Sequence, residues 1–176
     1  MFRDNSLVPL EAVRLCALGL LAEGERRYGD LAGEIRHFTS RVVGPSLDLM
    51  GTSLELLRYE GLIEAVDGHG MTDNAVLRLT PRGGETLAAL LKAQLRSPLS
   101  EINRLALLLK LRFLHHLPDA ERQGQLALMA DSLATERARL DELRQHAEPG
   151  LFRDWLDHDI ALVEARIAWL RQRDRG

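Results

Sequence analysis

Apolar residues recur at helical spacing through the first part of the chain. Steps of three and four residues follow one another along two successive segments, which predicts two amphipathic helices. Their expected buried positions are Leu10, Val13, Ala17 and Leu20, then Leu31, Ile35, Phe38 and Val42. A third helix is expected after Gly44-Pro45-Ser46, because Ser46 is a suitable N-cap. Its expected buried positions are Leu47, Met50, Leu54 and Leu57.

After Gly61 the period changes from that of a helix to that of a strand. Residues 62–66 and 75–79 predict a β-hairpin whose tip is formed by residues 67–74. Thr80-Pro81 then begins a fourth helix, since a proline in the first helical turn removes no hydrogen bond. The order helix-helix-helix-strand-strand-helix predicts a winged helix-turn-helix domain over residues 1–96.

Residues 97–176 are predicted to form a helical domain. Residues 99–117 are apolar on two sides, so a helix there must be covered on both, and we expect a second copy of the chain to cover the outer side. Two heptad-patterned segments on either side of Glu148-Pro149-Gly150 predict an antiparallel helical hairpin. The predicted fold class is mainly α with a small β-hairpin: an N-terminal winged helix-turn-helix and a C-terminal helical dimerisation and effector domain.

Composition and charge exclude several classes of protein. With 176 residues, 45% of them hydrophobic, the chain is not a disordered or low-complexity protein. The single cysteine, Cys16, excludes an internal disulfide and favours a reducing, cytoplasmic location. The most apolar stretch contains Lys110 and Arg112 and is too short for a membrane span. The net charge of −3 gives no strongly basic balance of the kind that marks many nucleic-acid-binding proteins.

Three stretches between residues 10 and 95 carry a family resemblance. They are Leu18-Gly19-Leu20-Leu21 with Tyr28-Gly29-Asp30-Leu31, the segment Leu54 to Ile63, and the segment Leu77 to Gly83. Together they resemble the PadR family of bacterial winged-helix transcriptional regulators. The resemblance implies a homodimeric, cytoplasmic repressor that binds double-stranded DNA, associates with the nucleoid when bound, and responds to a small molecule or a partner.

Two positions depart from the family pattern. Gly51 stands where such proteins usually have a tyrosine in the third helix. The predicted hairpin tip has two acids and one histidine, where the family often has arginine or lysine.

The residues expected to contact DNA are mainly cationic or hydroxylated. The outward face of the third helix is expected to show Asp48, Thr52, Glu55, Leu56 and Tyr59, of which only Thr52 and Tyr59 are neutral donors. Phosphates must therefore be held by other groups, and Arg, Ser and Thr are the usual types. The candidates are Arg26, Arg27, Arg36, Thr39, Ser40, Arg41, Arg78 and Arg82. The alternative for each is a solvated surface residue or the ion-pair partner of a nearby acid.

Aromatic residues of the second half suggest an effector site by resemblance alone. Phe113, Trp155 and Trp169 could line a pocket for a planar or lipophilic effector, or they could pack the helical bundle or the dimer seam. The adjacent residues His115 and His116 point about 100° apart on a helix and do not chelate together. We expect no metal, no cofactor and no catalytic residue, so the chain is not expected to be an enzyme.

A second function also fits these residues. In this alternative the winged helix does not bind DNA and is a protein-protein interaction module. A surface formed by Leu49, Leu56 and Tyr59 would then hold the partner.

Overall fold

The structure is a computed structural model that describes residues 9–43, 50–66, 74–95 and 101–174. The helices within these residues are α1 (Pro9–Ala22), α2 (Tyr28–Val43), α3 (Met50–Tyr59), α4 (Pro81–Lys92), α5 (Glu101–Phe113), α6 (Asp119–Gln145) and α7 (Leu151–Asp174). The strands are β1 (Arg26–Arg27), β2 (Ile63–Ala65) and β3 (Val76–Leu79). These elements form two compact units, the first from α1 to α5 with the sheet and the second from α6 and α7. Of the described helices, none has the length and apolar character needed to cross a membrane.

Several sequence predictions fall outside the described residues. They are those on Ser46, Leu47, Asp48 and Leu49, on residues 67–73 of the hairpin tip, and on the break at residues 96–98. The side chain of Thr52 also lies outside the description.

The first unit has the predicted winged-helix order, with one additional strand. Strands β1, β3 and β2 form an antiparallel sheet in that order, so the predicted two-stranded hairpin is in fact the larger part of a three-stranded sheet. β1 pairs Arg26 with Leu77 and Arg27 with Val76. Two consecutive arginines show no alternation of apolar and polar positions, so the sequence pattern could not reveal this strand.

Helix α1 is buried on nearly all sides. The sequence predicted one apolar stripe along it, which includes Val13, Ala17 and Leu20, and these three side chains are buried. Five further residues of α1 are buried as well, namely Ala12, Leu15, Cys16, Leu18 and Leu21. α1 contacts α2, α3, α4, α5 and β3, and is therefore the central helix of the first unit.

Helix α5 lies after the domain boundary that the sequence predicts at residue 96. It belongs to the first unit and packs on α1 and α2, instead of joining the C-terminal hairpin. Leu105, Leu109 and Phe113 are buried within this single chain. The sequence indicated that the helix needed cover on two sides. α1 and α2 cover the side that carries these three residues, whereas Leu107 and Leu111 on the other side are only half-buried.

Two contacts of α5 show how closely it is seated. A Cβ atom built on Gly19 of α1 would lie 2.5 Å from ring atoms of Phe113, so only glycine admits the ring at this point. Lys110 is 2% exposed, and its ammonium group donates a hydrogen bond to the carbonyl of Ala93 at the end of α4. Burial lowers the pKa of Lys110 to about 8.

The second unit is the predicted antiparallel helical hairpin. The heptad pattern after Gly150 predicts five buried positions on α7, and all five are buried against α6, namely Leu156, Ile160, Val163, Ile167 and Leu170. On α6 the heptad positions Leu126, Met129 and Leu133 are also buried, but Leu143 near the loop is half exposed. Gly150 takes a positive φ of 149° where the loop enters α7.

Helix α4 begins against the base of the sheet through a close backbone contact. The Thr80 hydroxyl accepts a hydrogen bond from the Gly83 N–H at 3.0 Å and donates to the Gly61 carbonyl at 2.7 Å. A Cβ atom on Gly83 would lie 2.1 Å from the Leu62 carbonyl oxygen, whereas one on Gly84 would meet nothing within 4 Å.

This contrast predicts opposite effects of the same substitution at two adjacent glycines. Gly83→Ala should destabilise the first unit by about 1–3 kcal/mol, because the methyl group can be admitted only if the backbone moves. Gly84→Ala should leave stability unchanged or raise it by about 0.5–1 kcal/mol, because alanine favours the helix. Urea unfolding of both variants measures the difference, and equal free energies of unfolding would contradict the close contact at Gly83.

The buried Lys110 predicts a pH dependence of stability. Because its pKa is about 8 in the folded chain, below the usual 10.5, the unfolded chain binds more protons between these values. The lysine's contribution to stability therefore rises with pH across that range, by roughly 3 kcal/mol at most. Lys110→Met removes this rise, so the stability of the variant relative to wild type should fall between pH 8 and pH 10.

Thermal unfolding of both proteins at several pH values measures this effect. Only the difference between them is informative, because Cys16, whose pKa burial raises to about 12, titrates in the opposite sense. A difference in stability that does not change with pH would show that Lys110 keeps its usual pKa.

Candidate nucleic-acid interface

The second half of α2 presents a cationic outward face. Arg36 and Arg41 are exposed, and neither forms an ion pair with another described residue. His37 is exposed beside them, and the Ser40 hydroxyl donates to the His37 carbonyl at 3.1 Å. The buried stripe of the same helix, which includes Leu31 and Ile35, holds this face outward. Three residues that the sequence predicts as DNA contacts thus lie on one face of α2: the exposed Arg36 and Arg41, and the half-buried Ser40.

The outer face of α3 is mixed in charge. Leu54 and Leu57 are buried as predicted, which turns Glu55 and Tyr59 to solvent, and Tyr59 is 90% exposed. Arg58 is exposed as well, and has no ion pair with the residues described. The sequence prediction omitted Arg58, because a helical projection places it toward the buried side. Its position next to Tyr59 near the C-terminus of α3 was the available signal.

The sheet and the start of α4 contribute one paired arginine and two that make no ion pair among the described residues. Arg78 Nε lies 2.7 Å from Glu64 Oε1 across strands β2 and β3, and this hydrogen bond raises the pKa of Arg78. Arg82 is exposed in the first turn of α4. Arg27 is likewise exposed, in β1. Arg82 and Arg27 make no ion pair within the described parts of the chain, so both are available to an anion. Arg78, by contrast, is partly neutralised by Glu64.

Two residues predicted to contact phosphates, Thr39 and Arg26, instead form hydrogen bonds or ion pairs inside the first unit. Thr39 is 3% exposed, and its hydroxyl donates to the Ile35 carbonyl at 2.9 Å, so it does not reach the surface. Arg26 donates from Nε to the Leu20 carbonyl at 3.1 Å and pairs with Glu23 and Glu34, each at 3.1 Å. Thr39 falls on the buried side of α2, and Arg26 lies in a strand that the sequence did not reveal. These two residues are better explained by structure than by DNA contact.

The three aromatic residues predicted for an effector site are not brought together within either unit. Phe113 is fully buried in the first unit, whereas Trp155 and Trp169 are 63% and 47% exposed on α7 of the second. Trp155 is thus mainly exposed within the single chain, and Trp169 is about half exposed. Arg173 lies over the Trp169 ring, 5.5 Å from its centroid, and the rings of Trp155 and His158 are 6.0 Å apart.

Groups with potential for other chemistry have structural explanations. Cys16 is buried in α1, as predicted for a small core residue, and burial raises the pKa of its thiol to about 12. His115 and His116 form the 3₁₀ turn that follows α5. Burial and the charge of His115 lower the pKa of His116. In the residues that the structure describes, no three His, Cys, Asp or Glu side chains are grouped to hold a metal ion.

Solved structures similar to this chain include PadR proteins. Bacillus subtilis PadR in complex with p-coumaric acid is 18% identical, with a TM-score of 0.42, over 96% of this chain and 97% of that chain. Bacillus subtilis PadR in complex with operator DNA is 18% identical, with a TM-score of 0.39, over 92% of this chain and 96% of that chain. The protein smu.1604c from Streptococcus mutans UA159 is 18% identical, with a TM-score of 0.40, over 93% and 98% of the two chains.

A family model matches almost the whole chain. Its description is "Putative AphA-like transcriptional regulator", and the match covers residues 2–173. No curated protein matches the chain. The family match agrees with the predicted resemblance to PadR-like regulators and with the expectation that the chain is not an enzyme. The chain belongs to the AphA-like family of transcriptional regulators.

Proposed function

We propose that the first unit binds double-stranded DNA, with α3 in the major groove and α2 along the backbone. The observation that carries this proposal is the exposed pair Arg36 and Arg41 on α2, beside a winged-helix arrangement whose α3 face is open. In such domains the second helix of the helix-turn-helix reads base edges, while the first crosses the backbone. These roles fall to α3 and α2 here.

The charge of α3 determines which residues must attract the DNA phosphates. Glu55 on its outer face opposes phosphates, although a carboxylate can accept from the amino group of cytosine. The attraction to phosphates then comes from Arg27, Arg36, Arg41 and Arg82, with Arg58 as an addition from the structure. Because each phosphate contact releases counterions, we expect affinity to fall steeply with salt concentration.

A second proposal is that two copies of the chain pair through α7. The buried face of this helix is occupied by α6, but Leu151, Trp155, Leu162 and Trp169 form a second stripe at steps of four, seven and seven residues. All four side chains are more than 40% exposed within the single chain. A heptad stripe of large apolar residues is typical of a surface that packs on another helix.

The order of residues along α7 favours an antiparallel pair. Residues 151–162 carry three aspartates and Arg153, a net charge of −2, and residues 163–174 carry three arginines with Glu164 and Asp174, a net charge of +1. A two-fold axis at Leu162 would bring the acidic half of one helix against the basic half of the other. Since Trp155 and Trp169 are each seven residues from Leu162, each Trp155 would then face Trp169 of the second copy.

The proposed dimer would allow the regulator to contact two half-sites on one duplex. Two winged helices held together bind half-sites about 34–36 Å apart, one turn of the duplex. We further propose a cytoplasmic repressor, associated with the nucleoid when bound, whose affinity is altered by a small molecule or a partner. In this dimer Trp155 and Trp169 would lie together at the seam between the two copies, so a planar ligand would contact these predicted effector residues there. Phe113, the third predicted effector residue, is buried in the first unit.

The interaction module without DNA binding is the alternative function. It is favoured by the exposure of Leu56 and Tyr59, at 41% and 90%, on the same helix as Glu55. Charge reversal at Arg36 and Arg41 separates the two functions. If α3 serves only a protein partner, the reversed variant keeps its partner and wild type shows no salt-dependent affinity for a duplex.

The salt dependence of duplex binding should report which arginines contact phosphates. Replacing both Arg36 and Arg41 by glutamine should reduce the magnitude of the negative slope of log K against log salt by about 1.8, since each lost contact removes about 0.9. Fluorescence anisotropy measures this with a labelled duplex of about 30 base pairs from the region upstream of the gene.

Arg26→Gln is the matched control for this measurement. It makes the same chemical change, but the arginine is held by Glu23, Glu34 and the Leu20 carbonyl. The control should lower thermal stability and leave the slope of the salt dependence unchanged. An equal loss of slope in the control and the double variant would contradict the assignment of phosphate contacts to α2.

Sedimentation equilibrium at about 10 µM should show a dimer that depends on the α7 stripe. Leu162→Glu places a charge at the centre of the stripe and should yield monomers, because it would bury two facing carboxylates. Leu128→Glu on α6 is the control, since Leu128 is similarly exposed but lies outside the stripe. A wild-type monomer, or equal dissociation of both variants, would rule out pairing through α7.

A further inference from the structure

The last four residues of α5 hold three other elements of the first unit. Lys110 binds the end of α4 through the Ala93 carbonyl, and Phe113 lies on Gly19 of α1. Arg112 extends from the same turn of α5 to α2. This one turn of helix therefore fixes where α5 sits relative to the other helices of the unit.

The contact of Arg112 with α2 combines two kinds of interaction. Its Nη2 donates to Glu34 Oε1 at 2.8 Å. Its guanidinium group also lies over two aromatic rings, 5.4 Å from the centroid of Phe38 on α2 and 5.2 Å from that of Phe113 on α5. A planar guanidinium group suits both contacts at once, which a lysine ammonium group does not.

Glu34 links this contact to the sheet. Its second carboxylate oxygen, Oε2, receives Arg26 of β1 at 3.1 Å, and Arg26 in turn binds the Leu20 carbonyl at the end of α1. Arg112, Glu34 and Arg26 thus form a chain of charges from α5 through α2 to β1. The side chains of all three are about one third exposed, so they form a partly solvated network and not a sealed ion pair.

The position of α5 in the sequence connects this network to the chain that enters the second unit. α5 is the last helix of the first unit, and the chain passes from it through the turn Leu114–His116 into α6. A change in the second unit that is transmitted along this connection reaches the first unit at α5. The next helix that it meets through Arg112 is α2, which carries Arg36 and Arg41 on its outward face.

We propose that Arg112 is a positioning residue for DNA binding: through Glu34 and Phe38 it holds α2 against α5, so that the seating of α5 sets the affinity of the first unit for a duplex. This inference rests on the proposed function, because it needs α2 to contact the backbone. Arg112 itself contacts no phosphate. Its loss allows α2 to occupy other positions, and binding must then select the competent fraction.

Glu34→Gln separates positioning from simple electrostatics. If only charge mattered, removing a carboxylate from the first unit would strengthen binding to a polyanion. Positioning predicts the opposite, because the substitution weakens the links to both Arg112 and Arg26. We expect Glu34→Gln and Arg112→Gln each to reduce duplex affinity about three- to tenfold.

The experiment measures three quantities on the full chain with the same upstream duplex. They are the duplex affinity, the slope of its salt dependence, and the rate of amide hydrogen exchange in residues 28–43 without DNA. Arg112→Gln, Glu34→Gln and the double variant are compared with wild type. For each variant we expect lower duplex affinity, an unchanged slope of the salt dependence and faster exchange in α2. Because both residues belong to one network, the double variant should bind the duplex about as tightly as the weaker-binding single variant.

Arg122→Gln is the control for loss of a surface ion pair. Arg122 lies 2.9 Å from Asp119 within α6, so its loss should change none of the three quantities. Arg112→Lys keeps the charge without the planar group, and should recover only part of the affinity.

Each failure has a distinct signature. If wild type shows no salt-dependent binding, the proposed function fails and the role of Arg112 fails with it. If wild type binds the duplex but Glu34→Gln binds it more tightly or equally well, the positioning role of Arg112 is wrong and the proposed function stands. A lower slope in Arg112→Gln, or unchanged exchange in residues 28–43, would also overturn it.

Discussion

The structure depends on the mutual burial of two helices that are apolar on more than one side. α1 has buried residues around most of its circumference, and α5 has a buried face that includes Leu105, Leu109 and Phe113. Neither could remain in water alone, since apolar surface of this extent is stabilised only by removal from solvent. Each supplies part of the other's cover, with α2 closing α5 and with α3, α4 and β3 closing α1. The winged helix is therefore built around a central helix and completed by one that comes after it in the chain.

The sequence predicted the elements well but could not predict which surfaces meet. All five apolar positions of α7 were found, because a heptad pattern and a neighbouring helix in a hairpin leave one solution. Residues 99–117 were recognised as apolar on two sides, but hydrophobic periodicity does not identify the partner. The boundary predicted at residue 96 rests on a local break in the helical pattern, which carries no information on the packing of α5 in the first unit. Strand β1 depends on backbone hydrogen bonds to β3, which leave no trace in two arginines.

The candidate interface shows the same division between local pattern and tertiary contact. Arg36 and Arg41 could be found because a helix that buries Leu31 and Ile35 must turn them outward. Arg26 and Thr39 could not be excluded in advance, because their roles depend on the carbonyls of Leu20 and Ile35 and on two acids elsewhere in the unit. Arginines close together in a sequence thus divide into those that stabilise the fold and those that remain available to a ligand. Only the contacts of each side chain make that distinction.

The burial of Cys16 keeps the one thiol of this chain out of reach of redox chemistry. Thiol chemistry with peroxides, disulfides or electrophiles proceeds through the thiolate, and a thiol whose pKa is about 12 in a closed apolar core supplies almost none at neutral pH. As the sequence contains no other cysteine, oxidants have no accessible sulfur of this type to modify. The same property makes the chain a convenient host for spectroscopic labels, since a cysteine introduced on the surface would react without competition from the native one.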